Sequence, residues 1–428
     1  MNYVIIGNSV AGIANIEAIR EYDKTGKITV ISDESYINYS RPLISYFLAN
    51  KVSIKNIHYR NKDFYTDNNV ELLLNTKAQK LDIKNKKVVL ENNKKISYDK
   101  LLISTGGKPI IPDIKGVNLK GVFTFIKLSE AEKLQKYIKD NRIKSAVIIG
   151  GGLIGLKVTE ALIDLKIKTT IIELANRIMA ATFNKKASSI IEGALGKIGC
   201  KLWTNTTISE IKSEKGKISG IKLANGEKIS TKLLILAIGV RPNIELIKNT
   251  PIAVNRGIIV DSSMQTNVPD IYAAGDCCEA NDLLSSTNRV IAIWPNAYRQ
   301  GKIAGYNMTG KKQEQYEGSI AMNSVELAGI PTISAGTPES KDKDSEELEF
   351  FDAKQSIYKK FILKDNKIIG FIFVNAIDRA GIYTNLLKEK TDVSSFKEHL
   401  LKDDFGIINL PKEYRKHMVT GTEVEIGI

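Results

Sequence analysis

Short apolar runs alternate with amphipathic segments along the chain, and near its start and its middle this alternation takes nearly the same form. The segment "YVIIGNSVAG" (3–12) is repeated as "AVIIGGGLIG" (146–155). In each copy a β-branched run ends at a glycine and is followed by a segment of helical periodicity. A second β-branched run then ends in acid, at Asp33 and Glu34 in the first copy and at Glu173 in the second. The pattern predicts two βαβ units.

The second copy carries the complete glycine pattern of a dinucleotide-binding turn. Gly150 permits the tight turn, Gly152 permits close approach of the backbone to a pyrophosphate, and Gly155 permits close packing of helix on strand. Leu153 and Ile154 belong to the first turn of the predicted helix, where unpaired N–H groups point at the phosphates. This copy is therefore predicted to bind a dinucleotide.

Glu173 specifies which dinucleotide is expected. It closes the second strand of this unit, about 20 residues after the first glycine. A carboxylate there can accept hydrogen bonds from both adenosine ribose hydroxyls and would repel a 2′-phosphate. NADH is therefore favoured over NADPH.

The first copy departs from the pattern at one position. Gly7 and Gly12 match the first and third glycines, but Ser9 stands in the middle place. Serine is tolerable there if φ stays negative and its side chain turns away from the phosphate or toward it. From these residues alone the segment is either a nucleotide site with a modified turn or an ordinary strand-to-helix loop.

Further along the chain, buried strands that end at glycine turns are predicted in "KLLISTGG" (100–107), "LLILAIGVRPN" (233–243) and "VPDIYAAGD" (268–276). A turn with a short helix is predicted in 38–50, strands and hairpins in 70–97, and a long helix in 295–310. From about 313 the pattern becomes that of an α+β domain, with a hairpin at Asp365 and Asn366 and a solvated loop at 339–347.

Composition bounds the class of protein. The 428 residues suffice for two or three domains, and 43% hydrophobic with 26% charged residues is typical of a globular protein. The net charge of +14 would suit an acidic partner, but the lysines are scattered without arginine–aromatic interleaving, so nucleic acid is not expected. The absence of a signal peptide or membrane-length apolar run leads us to expect a cytoplasmic protein.

Cysteine and histidine usage argues against a metal site or a disulfide framework. The cysteines are Cys200, Cys277 and Cys278, with no CxxC pair, and the three histidines (His58, His399, His417) are isolated in sequence. We therefore predict no bound metal and no catalytic triad built on histidine.

The order of the motifs "GNSVAG", "STGG", "GGGLIG", "LAIGVRPN" and "TNVPDIYAAGD" resembles the FAD- and NAD-dependent pyridine nucleotide-disulfide oxidoreductase superfamily over about the first 310 residues. With "INYSRPLISYFLAN", "NSVELAGIPTISAG" and "GFIFVNAIDRAGIYTNLL", the chain looks closest to NADH:rubredoxin oxidoreductases and the flavin module of NADH-dependent nitrite reductases. This resemblance extends more loosely to about residue 400.

The resemblance implies an α/β fold with two Rossmann-like domains, for FAD and NAD, and a C-terminal α+β interface domain. The implied FAD domain is discontinuous (1–112 and 241–312), the NAD domain spans 113–240, and the third domain spans 313–428. The third domain is expected to form the interface of a homodimer or of a partner.

The resemblance also implies which residues bind the cofactors. Gly7, Ser9, Ala11 and Gly12 would lie at the FAD pyrophosphate, Asp33 or Glu34 at the adenosine ribose, and the Ala78 backbone near adenine. Arg41 and Pro42 would lie beside the isoalloxazine ring, Ser104, Thr105 and Gly106 would close over the cofactor, and Gly275 with Asp276 would reach a ribityl hydroxyl. Asn296 and Ala297 would lie at the pyrimidine edge, and Gly239 would line the nicotinamide channel beside the NAD residues already named.

Departures from the family pattern bear on the reaction. Disulfide reductases of the superfamily carry a redox-active cysteine near the flavin-facing helix, whereas "INYSRPLISYF" has none, which disfavours disulfide substrates. Cys277 and Cys278 are either a redox-active vicinal pair or, as adjacent cysteines form a strained ring, two small buried hydrophobes. Lys157 stands where many relatives have glutamate, and one hypothesis is that Lys157 and Arg41 stabilise the negative charge a flavin acquires on reduction.

The function implied is an NADH-dependent FAD oxidoreductase that reduces a small acidic redox protein such as rubredoxin or a ferredoxin. Two alternatives stay open: an NADH oxidase or the NADH-accepting component of a nitrite reductase, and a sensor that binds FAD and NADH without catalysis. The sequence does not identify the electron acceptor.

Overall fold

The computed structural model describes residues 1–340, 342–412 and 414–415, so that His417 and the final segment "GTEVEIGI" lie outside the described residues. The described chain divides by its internal contacts into two compact units. The first contains Met1–Ile178 and Ile198–Ala321, and the second contains Met179–Lys197 and the residues from Met322 onward.

The strands of the first unit carry the labels β1 to β21: Asn2–Ile6, Lys27–Ile31, Val70–Leu73, Ala78–Asp82, Lys87–Leu90, Lys95–Ser97, Lys100–Ile103, Gly107–Pro109, Val122–Phe123, Ser145–Ile149, Lys168–Ile172, Lys201–Trp203, Ile208–Glu214, Lys217–Leu223, Lys228–Ser230, Leu234–Leu236, Val240–Pro242, Ile258–Ile259, Ile271–Ala273, Cys278–Asn281 and Asn288–Arg289. Strands β22 to β26 belong to the second unit: Met322–Leu327, Ile330–Gly336, Ser345–Asp352, Ile357–Lys364 and Lys367–Val374.

Helices α1 to α8 are Val10–Tyr22, Ile44–Leu48, Phe64–Asp67, Leu128–Asp140, Leu153–Asp164, Lys185–Lys197, Trp294–Thr309 and Ala380–Lys388. Short 3₁₀ turns span Arg41–Leu43, Glu245–Ile247, Lys397–His399 and Ile407–Asn409. Within the described part of the chain, no helix is both long and apolar enough to cross a membrane.

The first parallel sheet has the strand order β19-β7-β1-β2-β3, and every pair in it is parallel. Strand β1 is apolar on both faces because both faces are covered. The chain leaves β1 toward β2 on one side and reaches β7 on the other, so the strand order reverses between β1 and β7. Such a reversal leaves a crevice at the carboxyl ends of the strands, where open α/β sheets bind ligands.

The second parallel sheet repeats this arrangement with the strand order β12-β11-β10-β16-β9. Its strand order reverses between β10 and β16. The chain segments that follow β7 and β16 contain β8 and β17, which pair with each other as a two-stranded antiparallel ribbon. The fold is thus the predicted α/β architecture with two Rossmann-like sheets.

Helices α1 and α7 pack unusually closely, because glycines remove side chains from their contact. A Cβ on Gly301 would lie 2.1 Å from the Ala11 carbonyl oxygen, and one on Gly305 would lie 2.7 Å from the Asn15 carbonyl oxygen. The Asn15 side-chain amide donates a hydrogen bond to the Gly301 carbonyl at 3.1 Å. This contact holds the middle of α7 against the first two turns of α1.

The second unit is an antiparallel sheet with the strand order β22-β23-β26-β25-β24. The rings of Phe361, Phe371, Phe373 and Tyr383 pack against one another, mostly edge to face, between this sheet and α8. The hairpin at Asp365 and Asn366 is confirmed, and both residues have the positive φ of a tight turn.

One local prediction is wrong. Residues 345–347 were expected in a solvated loop, but they begin strand β24. The reason is that their charges are neutralised by neighbouring lysines. Glu347 pairs with Lys360 of β25 at 2.8 Å, and Glu346 pairs with Lys397 at 2.8 Å. The acidic run is therefore compatible with a strand.

Candidate functional site

The first glycine turn follows β1 and needs glycine at both ends. Gly7 has φ of 118°, and a Cβ there would lie 2.1 Å from the Ser104 carbonyl oxygen. A Cβ on Gly12 would lie 2.2 Å from the Gly7 carbonyl oxygen. The turn is thus pressed against the end of β7 on one side and its own helix on the other.

Ser9 is accommodated in this turn as the N-cap residue of α1. Its φ of −103° and ψ of −167° are extended backbone that any residue adopts. Its Oγ accepts a hydrogen bond from Arg41 Nε at 3.3 Å. The condition that φ stay negative is therefore met, and the hydroxyl has a partner on another segment.

Arg41 joins three segments around the turn. Besides Ser9, its guanidinium donates to Glu34 Oε1 at 2.5 Å and to the Ile126 carbonyl at 2.9 Å. It also lies over the Tyr39 ring, 5.2 Å from the centroid. Burial alone would lower the pKa of Arg41, but Tyr39 and Glu34 outweigh it and raise that pKa. Arg41 therefore keeps a fixed positive charge at the amino end of α1.

The two acids predicted at the adenosine ribose differ in their surroundings. The side chain of Glu34 is 10% exposed and accepts a hydrogen bond from Tyr39 Oη at 2.7 Å in addition to that from Arg41. Asp33 is 55% exposed and pairs with Lys127 at 3.1 Å. The loop that leads to Ala78 reaches the same strand end, since Asn75 N donates to the Glu34 carbonyl at 3.1 Å.

Asp276 follows β19 at the same edge of the sheet. The preceding Gly275 has φ of 83° and lies between Ala11 and Ala297, with an added Cβ 3.4 Å and 3.6 Å from their Cβ atoms. Among the described residues, none donates a hydrogen bond to the half-buried Asp276 carboxylate. Burial raises its pKa, and the charge of Arg41 opposes that rise. A carboxylate in this state can accept hydroxyl donors from a ligand.

Other predicted residues at this edge mainly support the backbone. Ser104 Oγ donates to the Ile6 carbonyl at 3.0 Å, and Thr105 Oγ1 donates to the Asn243 carbonyl at 2.6 Å. Gly106 adopts φ of 66° beside open space. Asn296 is buried and bonds the Ile291 carbonyl and the Tyr316 hydroxyl. Pro42 is exposed in its 3₁₀ turn.

The second glycine turn has the same geometry after β10. Gly150 has φ of 108°, and a Cβ there would lie 2.3 Å from the Ala237 carbonyl oxygen. A Cβ on Gly155 would lie 1.9 Å from the Gly150 carbonyl oxygen. A Cβ on Gly152 would meet no atom within 4 Å, so this position faces open space. Contacts within the fold therefore do not require glycine at this position.

Glu173 lies beside this turn at the end of β11. Its Oε2 accepts from Gly151 N at 2.6 Å and its Oε1 from Ala175 N at 2.7 Å. Leu153 and Ile154 are half-buried in the first turn of α5. Gly239, with φ of 123°, accepts a hydrogen bond from Ile110 N at 3.0 Å. The structure thus gathers the predicted NAD residues at the carboxyl ends of β10, β11 and β16.

Lys157 points from α5 toward the segment that carries Arg41. Its ammonium pairs with Glu160 at 2.5 Å and lies 5.5 Å from the centroid of the Tyr46 ring on α2. The Lys157 charge is therefore already balanced by a carboxylate one turn away. Its proposed effect on a flavin stays a hypothesis.

The cysteines are free, buried thiols. Burial raises the pKa of Cys277 and raises that of Cys278 well above its usual value. Both therefore remain protonated, a form that does not attack disulfides. Over the residues the structure describes, no cluster of three or more His, Cys, Asp or Glu side chains is arranged to hold a metal ion.

Sequence reasoning missed two side chains at this edge. Tyr39 bridges Glu34 and the backbone N–H of Leu128 at 3.2 Å. Gln300, on α7, accepts a hydrogen bond from Gly275 N at 2.8 Å. Neither has a sequence signal of its own, because only the crossing of distant segments brings these groups together.

Residues 1–301 match the model of the pyridine nucleotide-disulphide oxidoreductase family, and residues 322–391 match that of the rubredoxin NAD⁺ reductase C-terminal domain. The chain is 31% identical to a nitrite reductase [NAD(P)H] of Bacillus subtilis, over 91% of this chain and 48% of that protein. It thus spans about half the length of that relative.

A second relative matches along nearly its whole length. The chain is 30% identical to an NADH-rubredoxin oxidoreductase of Clostridium acetobutylicum, over 90% of this chain and 96% of that protein. Among solved structures, an NAD-dependent persulfide reductase from A. fulgidus matches with a TM-score of 0.86 and 26% identity, over 92% of this chain and 78% of that one. The two glycine turns, their sheets and these matches agree, and the chain belongs to the pyridine nucleotide-disulphide oxidoreductase family.

Proposed function

We propose that this chain is an FAD-dependent NADH oxidoreductase that passes electrons from NADH through FAD to a small redox protein of the rubredoxin or ferredoxin type, without a redox-active disulfide. The observation that carries the proposal is the pair of glycine turns at the strand-order reversals of two parallel sheets. At the first turn lies the Asp276 carboxylate, to which none of the residues that the structure describes donates a hydrogen bond. FAD is characteristic of the family.

The residues at the first turn fit FAD. The N–H groups at the start of α1 and the Arg41 charge suit a pyrophosphate, because helix N-termini and guanidinium groups bind phosphate oxygens. Asp276 suits a ribityl hydroxyl, which would donate the hydrogen bond that the carboxylate lacks among the described residues. Asp33 or Glu34 would hold the ribose, with the Ala78 backbone near adenine.

The other residues of the first site would shape the cleft around FAD. Gly7, Ser9, Ala11 and Gly12 would follow the pyrophosphate, and Ser104, Thr105 and Gly106 would close over the cofactor. Asn296 and Ala297 would border the ring at the start of α7, with Pro42 also beside the ring, and Gly275 would lie with Asp276 at the ribityl chain. The resemblance implies a place beside the ring for Arg41 too, but its hydrogen bond to Ser9 favours the pyrophosphate. For the residues of 7–12, 104–106 and 275–276, this assignment is supported by their common position after the carboxyl ends of β1, β7 and β19.

The second turn fits NADH. Gly152 leaves room for a pyrophosphate at the start of α5, beside Gly150, Gly155, Leu153 and Ile154. Glu173 would accept the ribose hydroxyls and exclude a 2′-phosphate, and Gly239 would border the nicotinamide. When bound, FAD accepts a hydride from NADH and returns electrons one or two at a time.

The acceptor is proposed to be a small acidic redox protein. The buried, protonated thiols at positions 277 and 278 do not supply a thiolate, which argues against disulfide substrates. The net charge of +14 would attract an acidic partner. The relative named NADH-rubredoxin oxidoreductase and the match to the rubredoxin NAD⁺ reductase C-terminal domain support this acceptor class.

We also propose the domain limits and the assembly. The FAD domain would comprise 1–112 and 241–312, the NAD domain 113–240, and the C-terminal domain 313–428, which would form a homodimer interface. The pairing of β19 with β7 supports a discontinuous first domain. Light scattering after gel filtration tests the dimer, and a monomeric mass would refute it.

A second candidate is the NADH-accepting component of a nitrite reductase. It is favoured by the similarity to the Bacillus subtilis enzyme, of which this chain spans about half. In that case electrons would pass to a separate subunit that carries the nitrite chemistry.

Anaerobic rapid mixing of the FAD-loaded protein with NADH tests the proposal. We expect the absorption band of the flavin to bleach at a rate of several per second or faster. Rubredoxin, ferredoxin, oxygen and nitrite are then compared as acceptors. Failure of NADH to bleach the band would overturn the proposal that the protein is an oxidoreductase. If oxygen reoxidises the flavin fastest, an NADH oxidase is favoured. Bleaching without turnover of any acceptor would favour a sensor.

A further inference from the structure

The loop that carries Asp276 is a four-residue turn, Gly275 to Cys278. The turn is closed by a hydrogen bond from Cys278 N to the Gly275 carbonyl at 3.0 Å. Gly275 adopts φ of 83°, a conformation that side chains other than glycine rarely adopt. Asp276 is the second residue of this turn, so the turn determines where its carboxylate points.

A single buried oxygen on α7 contacts both ends of the turn. Gln300 Oε1 accepts a hydrogen bond from Gly275 N at 2.8 Å and from Cys278 Sγ at 3.2 Å. Gln300 is 2% exposed and Cys278 is 1% exposed, so water does not compete for these bonds. The Gln300 side chain therefore holds the first and last residues of the turn at a fixed separation.

The thiol of Cys278 is suited to this role. A thiol donates a hydrogen bond only while it keeps its proton. Burial raises the pKa of Cys278 well above its usual value, so the S–H donor persists at neutral pH. The neighbouring Cys277 bonds differently: its Sγ lies 3.4 Å from the carbonyls of Ile103 and Ala274. The two adjacent cysteines thus attach the turn to different elements.

The position of Gln300 is itself set by backbone contact. The next residue, Gly301, lies where a Cβ would be 2.1 Å from the Ala11 carbonyl, in the first turn of α1. Rotation of α7 about its axis is blocked at this contact. Gln300 is therefore held in a fixed relation to the helix start that begins at Ser9.

We infer that Gln300 and Cys278 form a positioning pair that orients the Asp276 carboxylate toward the FAD ribityl chain and thereby ties cofactor affinity to the α1–α7 contact. The inference rests on the proposed function in that it takes Asp276 as an FAD ligand. It assigns to the vicinal cysteines a hydrogen-bonding role, without any change of redox state.

The test compares matched variants. Gln300→Met keeps the volume but removes the acceptor, and Gln300→Glu restores an acceptor oxygen. Cys278→Ala removes the donor, whereas Cys278→Ser restores one. Cys277→Ala is the adjacent control, equally buried but bonded to other groups, and Cys200→Ala is a remote buried control.

Two readouts are measured on each variant. Amide hydrogen exchange at Gly275, in the FAD-free protein, reports the bond to Gln300 directly, and we expect it to become at least about tenfold faster in Gln300→Met. The FAD dissociation constant, from titration of the FAD-free protein, is expected to rise about tenfold in Gln300→Met and severalfold in Cys278→Ala. Gln300→Glu and Cys278→Ser should recover most of the affinity.

The outcomes separate this inference from the proposed function. If the wild-type protein binds FAD but Gln300→Met and Cys278→Ala bind it equally well, the positioning role is refuted and the function stands. If Cys277→Ala weakens FAD binding as much as Cys278→Ala does, the effect comes from general packing of the turn, and the specific role of Gln300 and Cys278 is refuted. If the wild-type protein does not bind FAD, the proposed function fails. Independently of FAD binding, an unchanged rate of amide exchange at Gly275 in Gln300→Met would refute the hydrogen bond between Gln300 and Gly275.

Discussion

Ser9 and Arg41 are hydrogen-bonded across the first glycine turn, with Arg41 Nε 3.3 Å from Ser9 Oγ. The residue that breaks the glycine pattern thus contacts a guanidinium that is also held by Glu34 and the Ile126 carbonyl. The departure at Ser9 therefore does not disrupt the turn. It places a hydroxyl and a cation together at the amino end of α1.

This relationship predicts unequal effects of substituting the two residues. Arg41→Met should weaken FAD binding at least about tenfold, because it removes a charged group whose hydrogen bonds are worth about 1.5 to 3 kcal/mol each. Ser9→Gly should change affinity by about threefold or less, because it removes one long hydrogen bond. Titration of the FAD-free protein measures both.

Arg60→Met is the matched control for Arg41. The Arg60 side chain is also 34% exposed and pairs with Glu17 at 2.6 Å, away from the amino end of α1. Its loss should leave FAD affinity unchanged. Equal losses in the two arginine variants would contradict the assignment of Arg41 to the cofactor.

Asp276→Asn should have opposite effects on stability and on binding. Burial raises the pKa of Asp276, so in the FAD-free protein the stability it contributes is lost as pH rises through that raised pKa. The variant should therefore melt above wild type at pH 7, with a smaller difference at pH 4. FAD affinity should fall about tenfold or more, because a charged acceptor is lost.

Asp113→Asn controls for the removal of a carboxylate, since Asp113 is exposed in the segment between β8 and β9. The melting temperature of Asp113→Asn should equal that of the wild-type protein at pH 4 and at pH 7. A wild-type protein that equals or exceeds Asp276→Asn in stability at pH 7 would show that the Asp276 charge is compensated in the fold.

Alanine substitution at Gly155 and at Gly152 in the second turn should affect different properties, stability at Gly155 and NADH binding at Gly152. Gly155→Ala places a Cβ 1.9 Å from the Gly150 carbonyl oxygen and should destabilise the protein by about 2 kcal/mol or more. Gly152→Ala meets no atom within 4 Å and should keep wild-type stability while raising the KM for NADH at least about tenfold. Thermal unfolding and steady-state kinetics with an artificial acceptor distinguish them. A wild-type KM for NADH in Gly152→Ala would contradict the proposal that the NADH pyrophosphate binds at this turn.

Glu173 should determine the choice between NADH and NADPH. Glu173→Ala should raise the KM for NADH by about tenfold and reduce discrimination against NADPH, because the carboxylate that would repel a 2′-phosphate is gone. The kcat at saturating NADH should change little. Glu227→Ala, which removes an exposed carboxylate between β14 and β15, is the control. Undiminished preference for NADH in Glu173→Ala would refute this role.

Several features followed from local sequence because local chemistry produces them. The apolar runs that end at Gly7 and Gly150 gave both βαβ units, since a strand covered on both faces is apolar throughout and a tight turn needs glycine. The hairpin at Asp365 and Asn366 was predictable because Asp and Asn tolerate the positive φ that its turn requires, and both residues have positive φ in the structure. A Cβ at the middle position of the second turn would meet no atom within 4 Å, and the approach of a pyrophosphate to Gly152 stays a prediction.

The tertiary structure decided what surrounds these turns. Arg41 reaches Ser9 only because the segment after β2 folds back over the turn, and Gln300 reaches Gly275 only because α7 crosses α1 at two glycines. The charges of Glu346 and Glu347 were likewise compatible with a strand only once their lysine partners were in place. Strand and turn signals lie within a few consecutive residues, whereas these contacts join residues far apart in sequence, and their geometry exists only after the sheets and helices have packed.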